Sequence, residues 1–145
     1  MSLLIRAAIT ADIPDLIRMV DELNVHEGEP TGHMTADKAA RDLIGDDAAL
    51  GAFVAERDGG LIGFAFWHPA YETCYAARGG FLTDLYVRGG HRRAGVGEAL
   101  MRAVAQASAA QGGEYLWLTA YRANERARAF YRRLMDVEED GLVAC

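Results

Sequence analysis

The feature that most constrains this sequence is a strand, a glycine-broken turn and a helix that follow one another from Phe81 to Gln111. Residues 81–87 are an apolar run with β-branched and aromatic side chains, interrupted by Asp84, and the run has the length of a strand. The turn that follows contains glycines, which allow close backbone approach to a bound group, at positions 89, 90, 95 and 97. From Glu98 the apolar residues recur at helical spacing until Gly112-Gly113 ends the helix.

The start of this helix is expected to bind an anion. Its first N–H groups have no intrahelical partner, and they converge with Arg92 and Arg93. A P-loop would require Gly-Lys-Ser or Gly-Lys-Thr, which is missing, and a dinucleotide-binding turn would require glycine where Leu100 stands. An ordinary turn whose glycines serve only packing is the remaining alternative.

Two motifs give this stretch a family resemblance. Leu85-Tyr86-Val87 followed by Arg92-x-x-Gly95-x-Gly97 resembles the acetyl-CoA signature of the GCN5-related N-acetyltransferase (GNAT) superfamily. Asp84-Leu85-Tyr86-Val87 further resembles its diamine (spermidine/spermine) acetyltransferase-like branch, and Asn124-x-x-Ala127-x-x-Phe130-Tyr131 extends the likeness. The resemblance implies an α/β fold with a mixed sheet of about six strands flanked by four helices, acetyl-CoA as co-substrate, no metal and a homodimer.

The resemblance also implies roles for individual residues. Main-chain N–H groups near Leu85 and Tyr86 would polarise the thioester, and Val87 would pair with the pantetheine arm. The pyrophosphate would be held by the run Arg92, Arg93, Ala94, Gly95, Val96, Gly97 and Glu98. Asn124 would either contact CoA or only cap a helix.

Two side chains are candidates for proton transfer. Tyr131 would donate a proton to the departing thiolate, with a core aromatic residue as the alternative. Asp84 would be the base or the anchor of the amine, with a buried partner of an arginine as the alternative. Glu27 is the second candidate contact of the acceptor amine.

The charge distribution supports a cationic acceptor. The net charge is −6, yet residues 1–50 carry ten acidic and four basic side chains, whereas residues 86–135 carry nine arginines and three glutamates. A basic half suits polyanionic CoA and an acidic half suits a cationic amine, although solvated helix faces would produce the same pattern. The overall acidity argues against a nucleic-acid partner.

The remaining pattern describes a globular chain. At 145 residues, with 51% hydrophobic and 25% charged side chains, it is expected to form a single domain over residues 1–145. No apolar stretch approaches the roughly 18 residues of a membrane span, and the N-terminus lacks a signal-peptide pattern, which favours the cytoplasm. Cysteines and histidines show no metal-ligand spacing, and no Gly-x-Ser-x-Gly motif is present.

Element boundaries follow from the same periodicities. Strands are predicted at 3–7, 53–57, 61–67, 81–87 and 114–120, and helices are predicted from Thr10 to Val20, from Thr35 to Ile44, from Glu98 and from Asn124 to Met135. Segments 21–35 and 68–74 are predicted as loops, and the residues after 135 leave room for one short strand.

The sequence therefore predicts an N-acetyltransferase that moves an acetyl group from acetyl-CoA directly to a small cationic primary amine. A protein or peptide amine is the alternative acceptor, and a non-catalytic acyl-CoA sensor is the alternative class of protein. Thr83 stands where the diamine branch commonly carries glutamate, so diamines or amino acids are expected to be better acceptors than polyamines.

Overall fold

The computed structural model describes residues 2–92, 95–120 and 124–134. Short 3-10 turns precede α1 and α3, at Thr10–Asp12 and Gly89–His91. In chain order the elements are β1 Leu3–Ala7, α1 Ile13–Glu27, α2 Ala36–Leu43, β2 Gly51–Arg57, β3 Gly60–Glu72, β4 Ala77–Val87, α3 Val96–Ala110, β5 Leu116–Leu118 and α4 Glu125–Leu134.

The strands form one mixed sheet between two layers of helices. Within the described residues its order is β1-β2-β3-β4-β5, with antiparallel pairing up to β4 and parallel pairing between β4 and β5. One core, around Leu16, Met19 and Phe64, lies between the sheet and the pair α1 and α2. A second core, around Leu100 and Val104, lies between the sheet and the pair α3 and α4.

This architecture confirms the predicted α/β fold with four helices. Five strands are described where about six were expected. The predicted short strand after residue 135 falls outside the described residues. No helix of the described ranges is long and apolar enough to cross a membrane.

The prediction of a loop over residues 21–35 is wrong for its first half. Helix α1 continues to Glu27 because the apolar stripe through Leu16 and Met19 extends to buried Leu23, and no helix breaker intervenes. Gly28 ends the helix with φ of +73°, and its N–H bonds to the carbonyl oxygens of Asn24 and Val25. Glu27 therefore lies on the last turn of a helix.

The prediction of a loop over residues 68–74 is also wrong. Strand β3 runs to Glu72 and pairs with β4, which begins at Ala77. Pro69 lies opposite Gly80, whose N–H instead donates to the carbonyl oxygen of Tyr115 at 3.0 Å. Pro69 and Gly80 form a non-hydrogen-bonded pair of the antiparallel ladder, in which the N–H of each residue points away from the partner strand. The proline therefore removes no hydrogen bond between β3 and β4.

Local signals that depend on caps and turns are confirmed. The side chain of Thr35 accepts from the N–H of Lys38, and that of Asn124 accepts from the N–H of Ala127 at 3.1 Å. Asp58 and Gly59 join β2 to β3 with φ of +53° and +78°, as a two-residue hairpin turn requires.

Arg88 ties three elements together where β4 ends. Its guanidinium donates to the carbonyl oxygen of Leu61 at 2.8 Å, to Asp15 at 3.1 Å and to Glu22 at 3.1 Å. The Tyr86 hydroxyl donates to the same Glu22 carboxylate at 2.8 Å. The glycine turn therefore starts from a residue that is fixed to both β3 and α1.

We predict that Arg88→Met lowers the free energy of unfolding by about 1–2 kcal/mol, because two carboxylates lose their charged donor in a partly exposed site. Arg88 is 28% exposed and Glu22 40%. Urea denaturation measures the change. The control is Arg102→Met, which removes a 68% exposed partner of Glu98 and should cost no more than about 0.5 kcal/mol. Equal losses in the two variants would show that the Arg88 cluster adds no stability beyond a surface pair.

Candidate active site

A β-bulge at Thr83 decides which way the residues of β4 face. Phe66 pairs with Asp84 and the next residue, Trp67, pairs with Leu82, so Thr83 is an extra residue in β4. Its hydroxyl donates to the carbonyl oxygen of Phe66 at 3.1 Å. Strict alternation would place Asp84 on the same face as Leu82, whereas the bulge places Asp84 on the opposite face, towards α1.

The same register shows which backbone N–H groups of β4 are free. The N–H of Arg88 donates to the carbonyl oxygen of Ile62 at 2.8 Å, which makes this a hydrogen-bonded pair of the antiparallel ladder. Because such pairs alternate, Tyr86 and Asp84 also bond to β3, whereas the N–H groups of Leu85 and Val87 point away from it.

On its edge towards β5, β4 has a neighbouring strand for only part of its length. Pairing with β5 is limited to Gly80, Phe81 and Leu82. The N–H groups of Leu85 and Val87 therefore face the gap between the two strands. Free main-chain donors were expected near Leu85 and Tyr86. Of these two N–H groups, that of Leu85 faces the gap, whereas that of Tyr86 faces β3.

Helix α1 lies along β4 in the opposite direction. Asp15 and Glu22 contact Arg88, Glu22 also contacts Tyr86, and Glu27 interacts with Asp84. The helix therefore ends above Asp84. The negative charge of Glu22 is compensated by Arg88. The bonds from Arg88 and Tyr86 outweigh partial burial and lower the pKa of the Glu22 carboxyl, which favours its ionised form.

Three titratable side chains from three elements share one electrostatic field. Burial raises the pKa of the Asp84 carboxyl, which a bond to Thr83 only partly offsets. Burial, together with the charges of Asp84 and Glu29, raises the pKa of the Glu27 carboxyl. Burial and the charges of Glu27 and Asp84 raise the pKa of the Tyr131 hydroxyl to about 12.

The structure therefore brings together Glu27, Asp84 and Tyr131, the three side chains that were predicted to act on the acceptor and the leaving group. Neither carboxylate forms an ion pair with any described lysine or arginine. The alternative of Asp84 as the buried partner of an arginine finds no such arginine in the described ranges. Tyr131 is half-buried and also packs against Phe130, with ring centroids 5.3 Å apart.

The start of α3 presents the expected backbone donors. Gly95 adopts φ of +77° and caps the helix, and the first intrahelical bond runs from Ala99 to Gly95. The N–H groups of Val96, Gly97 and Glu98 therefore have no partner in the helix. The Glu98 side chain turns away to Arg102, at 3.1 Å.

The arginines of the turn differ in what the structure describes. Arg92 donates through Nε to the carbonyl oxygen of Val87 at 3.0 Å, which fixes its side chain against the end of β4. Arg93 and Ala94, both predicted contacts of the pyrophosphate, lie outside the described residues. Asn124 caps α4, the role that was one of its two alternatives.

Sequence reasoning missed the bulge, the Arg88 cluster and the packing of α4 against the turn. A Cβ at Gly97 would lie 3.1 Å from the ring of Phe130, so this glycine lets α4 approach the start of α3 closely. The carboxylate inside an apolar strand was a signal of the site. The bulge had no signal, because only pairing with β3 reveals it.

The raised pKa of Asp84 predicts a pH-dependent stability. The folded chain favours the protonated carboxyl, so stability decreases as pH rises from the ordinary aspartate range through the higher folded value. Asp84→Asn cannot ionise and should gain stability relative to the wild type across this window. Thermal unfolding at pH 3 and pH 7 measures the difference, and exposed Asp47→Asn is the control. A difference that stays constant with pH would contradict the burial of an ionised Asp84.

Comparisons with known proteins identify the family of this chain. The model of the acetyltransferase (GNAT) family matches residues 16–136. The chain is 26% identical to thialysine N-epsilon-acetyltransferase of Sus scrofa, over 92% of this chain and 83% of that protein. It is 39% identical to streptothricin acetyltransferase of Streptomyces lavendulae, over 62% of this chain and 46% of that protein.

Solved structures show the same fold. A ribosomal-protein-alanine N-acetyltransferase from Brucella melitensis biovar Abortus 2308 superposes with a TM-score of 0.81 at 22% identity, over 99% of both chains. An aminoglycoside acetyltransferase from an uncultured soil metagenomic sample, in complex with sisomicin, gives 0.80 at 20% identity, over 99% of this chain and 93% of that one. The chain belongs to the acetyltransferase (GNAT) family and is an acetyl-CoA-dependent N-acetyltransferase.

Proposed function

We propose that the acceptor is the primary amine of a small cationic molecule, and that the acetyl group passes to it directly, without a covalent enzyme intermediate. The observation that carries this proposal is the pair Glu27 and Asp84, two carboxylates without an ion-pair partner among the described lysines and arginines, beside the Tyr131 hydroxyl. Partly buried carboxylates of this kind are stabilised when a cation binds between them.

The backbone fits the co-substrate that the family uses. Free N–H groups at Val96, Gly97 and Glu98 suit a pyrophosphate, and the gap beside Leu85 and Val87 suits an extended arm that pairs with a strand edge. Bound acetyl-CoA supplies an activated thioester. We assign to the N–H of Leu85 the polarisation of the thioester carbonyl, and a donor fixed in a strand requires no reorganisation.

Two of the three side chains carry the proton transfers, and the third holds the acceptor. Asp84 and Glu27 have raised pKa values, which makes them better proton acceptors than ordinary carboxylates. We assign to Asp84 the removal of a proton from the bound ammonium and to Glu27 the holding of the cationic acceptor. The Tyr131 hydroxyl, with a pKa of about 12, keeps its proton at neutral pH and donates it to the thiolate.

The names of similar proteins support a small amine as acceptor. One relative is named for N-epsilon acetyl transfer to thialysine and another for streptothricin. The solved aminoglycoside and ribosomal-protein-alanine enzymes resemble this chain in fold alone, at 20% and 22% identity. The site residues of this chain therefore favour a small cation over a protein terminus.

An amine screen tests the acceptor class. We expect free thiol to be released from acetyl-CoA with diamines and not with a peptide bearing a free N-terminus. The acceptor KM should rise with added salt, because ionic strength screens the attraction of Glu27 and Asp84. Asp84→Asn should raise that KM, whereas Asp47→Asn should not. If monoamines with an uncharged alkyl chain react as well as diamines, and the acceptor KM does not depend on salt, the proposed acceptor class is wrong.

Tyr131→Phe tests the general acid. The variant keeps the ring that packs on Phe130 and removes only the proton, so kcat should fall about 10²-fold while calorimetry shows unchanged binding of acetyl-CoA. Tyr75→Phe, at an 83% exposed position on the hairpin tip, is the control and should keep the wild-type kcat. A Tyr131→Phe variant with wild-type kcat would return Tyr131 to a packing role.

A further inference from the structure

We propose that His68 and Phe81 form the far end of the acceptor site, where His68 Nε2 accepts an N–H from a second nitrogen of the acceptor. The inference rests on the proposed acceptor class and adds the position and length that this acceptor must have. The roles assigned to Glu27, Asp84 and Tyr131 do not require His68 or Phe81.

The register places both rings on the face that carries Asp84. His68 pairs with Phe81 across β3 and β4, and Phe66 pairs with Asp84. Paired residues share a face, and Phe66 and His68 are two residues apart in the same strand. The bulge at Thr83 makes Asp84 and Phe81 face the same way, although they are three positions apart in the sequence.

Helix α1 stops short of this pair. It runs against β4 from Arg88 to Asp84, and Glu27 is its last residue. Phe81 lies further along β4 in the same direction. Both His68 and Phe81 are half-buried, and their rings stack with centroids 5.5 Å apart and an interplanar angle of 22°. The sheet therefore continues past the helix end as a partly exposed aromatic surface.

The hydrogen bonding of His68 determines what it can bind. Its Nδ1 lies 2.9 Å from the carbonyl oxygen of Pro69, and a carbonyl is only an acceptor, so Nδ1 carries a hydrogen. In the neutral ring Nε2 then holds a lone pair. Nε2 has no hydrogen-bond partner within the described residues. An acceptor atom beside an aromatic ring suits the ammonium group and methylene chain of an extended diamine.

The spacing sets the length of the ligand. A strand rises about 3.3 Å per residue, and Phe66 and His68, the partners of Asp84 and Phe81, are two residues apart, so Phe81 lies roughly 7 Å from Asp84 along β4. A diamine whose first nitrogen lies at Asp84 must therefore be long and extended for its second nitrogen to reach His68. Tetramethylenediamine and longer diamines have this reach, whereas ethylenediamine does not.

The experiment measures KM for a series of unbranched diamines from ethylenediamine to octamethylenediamine, and for the monoamines of matching length. In the wild type, KM should fall as the diamines lengthen, and more steeply than for the monoamines. His68→Phe keeps an aromatic ring against Phe81 and removes the lone pair. It should raise KM for the long diamines about tenfold, the loss expected for one hydrogen bond from a charged donor.

Short monoamines and acetyl-CoA should keep their KM in His68→Phe. Tyr71→Phe, two strand positions beyond Pro69 on the same strand, is the matched control and should change nothing. Phe81→Leu is the second variant and should also raise KM for the long diamines, since their methylene chain loses the aromatic surface on which it packs.

A wild-type KM that does not depend on diamine length, or a His68→Phe variant that affects monoamines and diamines equally, would overturn the inference. Release of thiol with monoamines alone would overturn it as well, yet would leave the transfer of acetyl to an amine intact. Failure of every amine, with acetyl-CoA still bound, would instead overturn the proposed function.

Discussion

The site of this enzyme depends on how β4 is paired on its two edges. Its edge towards β3 is paired along the whole strand, whereas its edge towards β5 is paired only over Gly80, Phe81 and Leu82. A continuous partner on one side holds the strand rigid. The loss of the partner on the other side leaves the N–H groups of Leu85 and Val87 without a strand to bond to, so they are available to a ligand.

The bulge at Thr83 adds the second requirement, which is a carboxylate on the acceptor side. It turns Asp84 towards the end of α1, where Glu27 raises the density of negative charge. Burial disfavours the ionised state of both groups, and at Glu27 the charge of Asp84 adds to this effect, so the pair works against stability at neutral pH. Arg88 compensates the charges of Asp15 and Glu22, which lie nearer the start of the same helix.

The turn, the strand Asp84–Val87 and the final helix were predictable because each carries local information. Glycines, a helix cap at Asn124 and a carboxylate in an apolar run are visible in one dimension. The continuation of α1 to Glu27 and of β3 to Glu72 was not predicted. Polar residues in the last turns of α1 and a proline in β3 are typical of loops, whereas tertiary contacts stabilise the helix and the strand there. The orientation of Asp84 and the position of His68 depend on the pairing of two strands, which local patterns do not encode.

The central claim is that Asp84 and Glu27 lie close enough to share one electrostatic field. A carbon-13 NMR titration of the glutamate side chains, in the wild type and in Asp84→Asn, measures it most directly. The account predicts that the carboxyl pKa of Glu27 lies above its ordinary value and falls when the charge of Asp84 is removed. A Glu27 carboxyl that titrates at the same pH in both proteins would contradict the account.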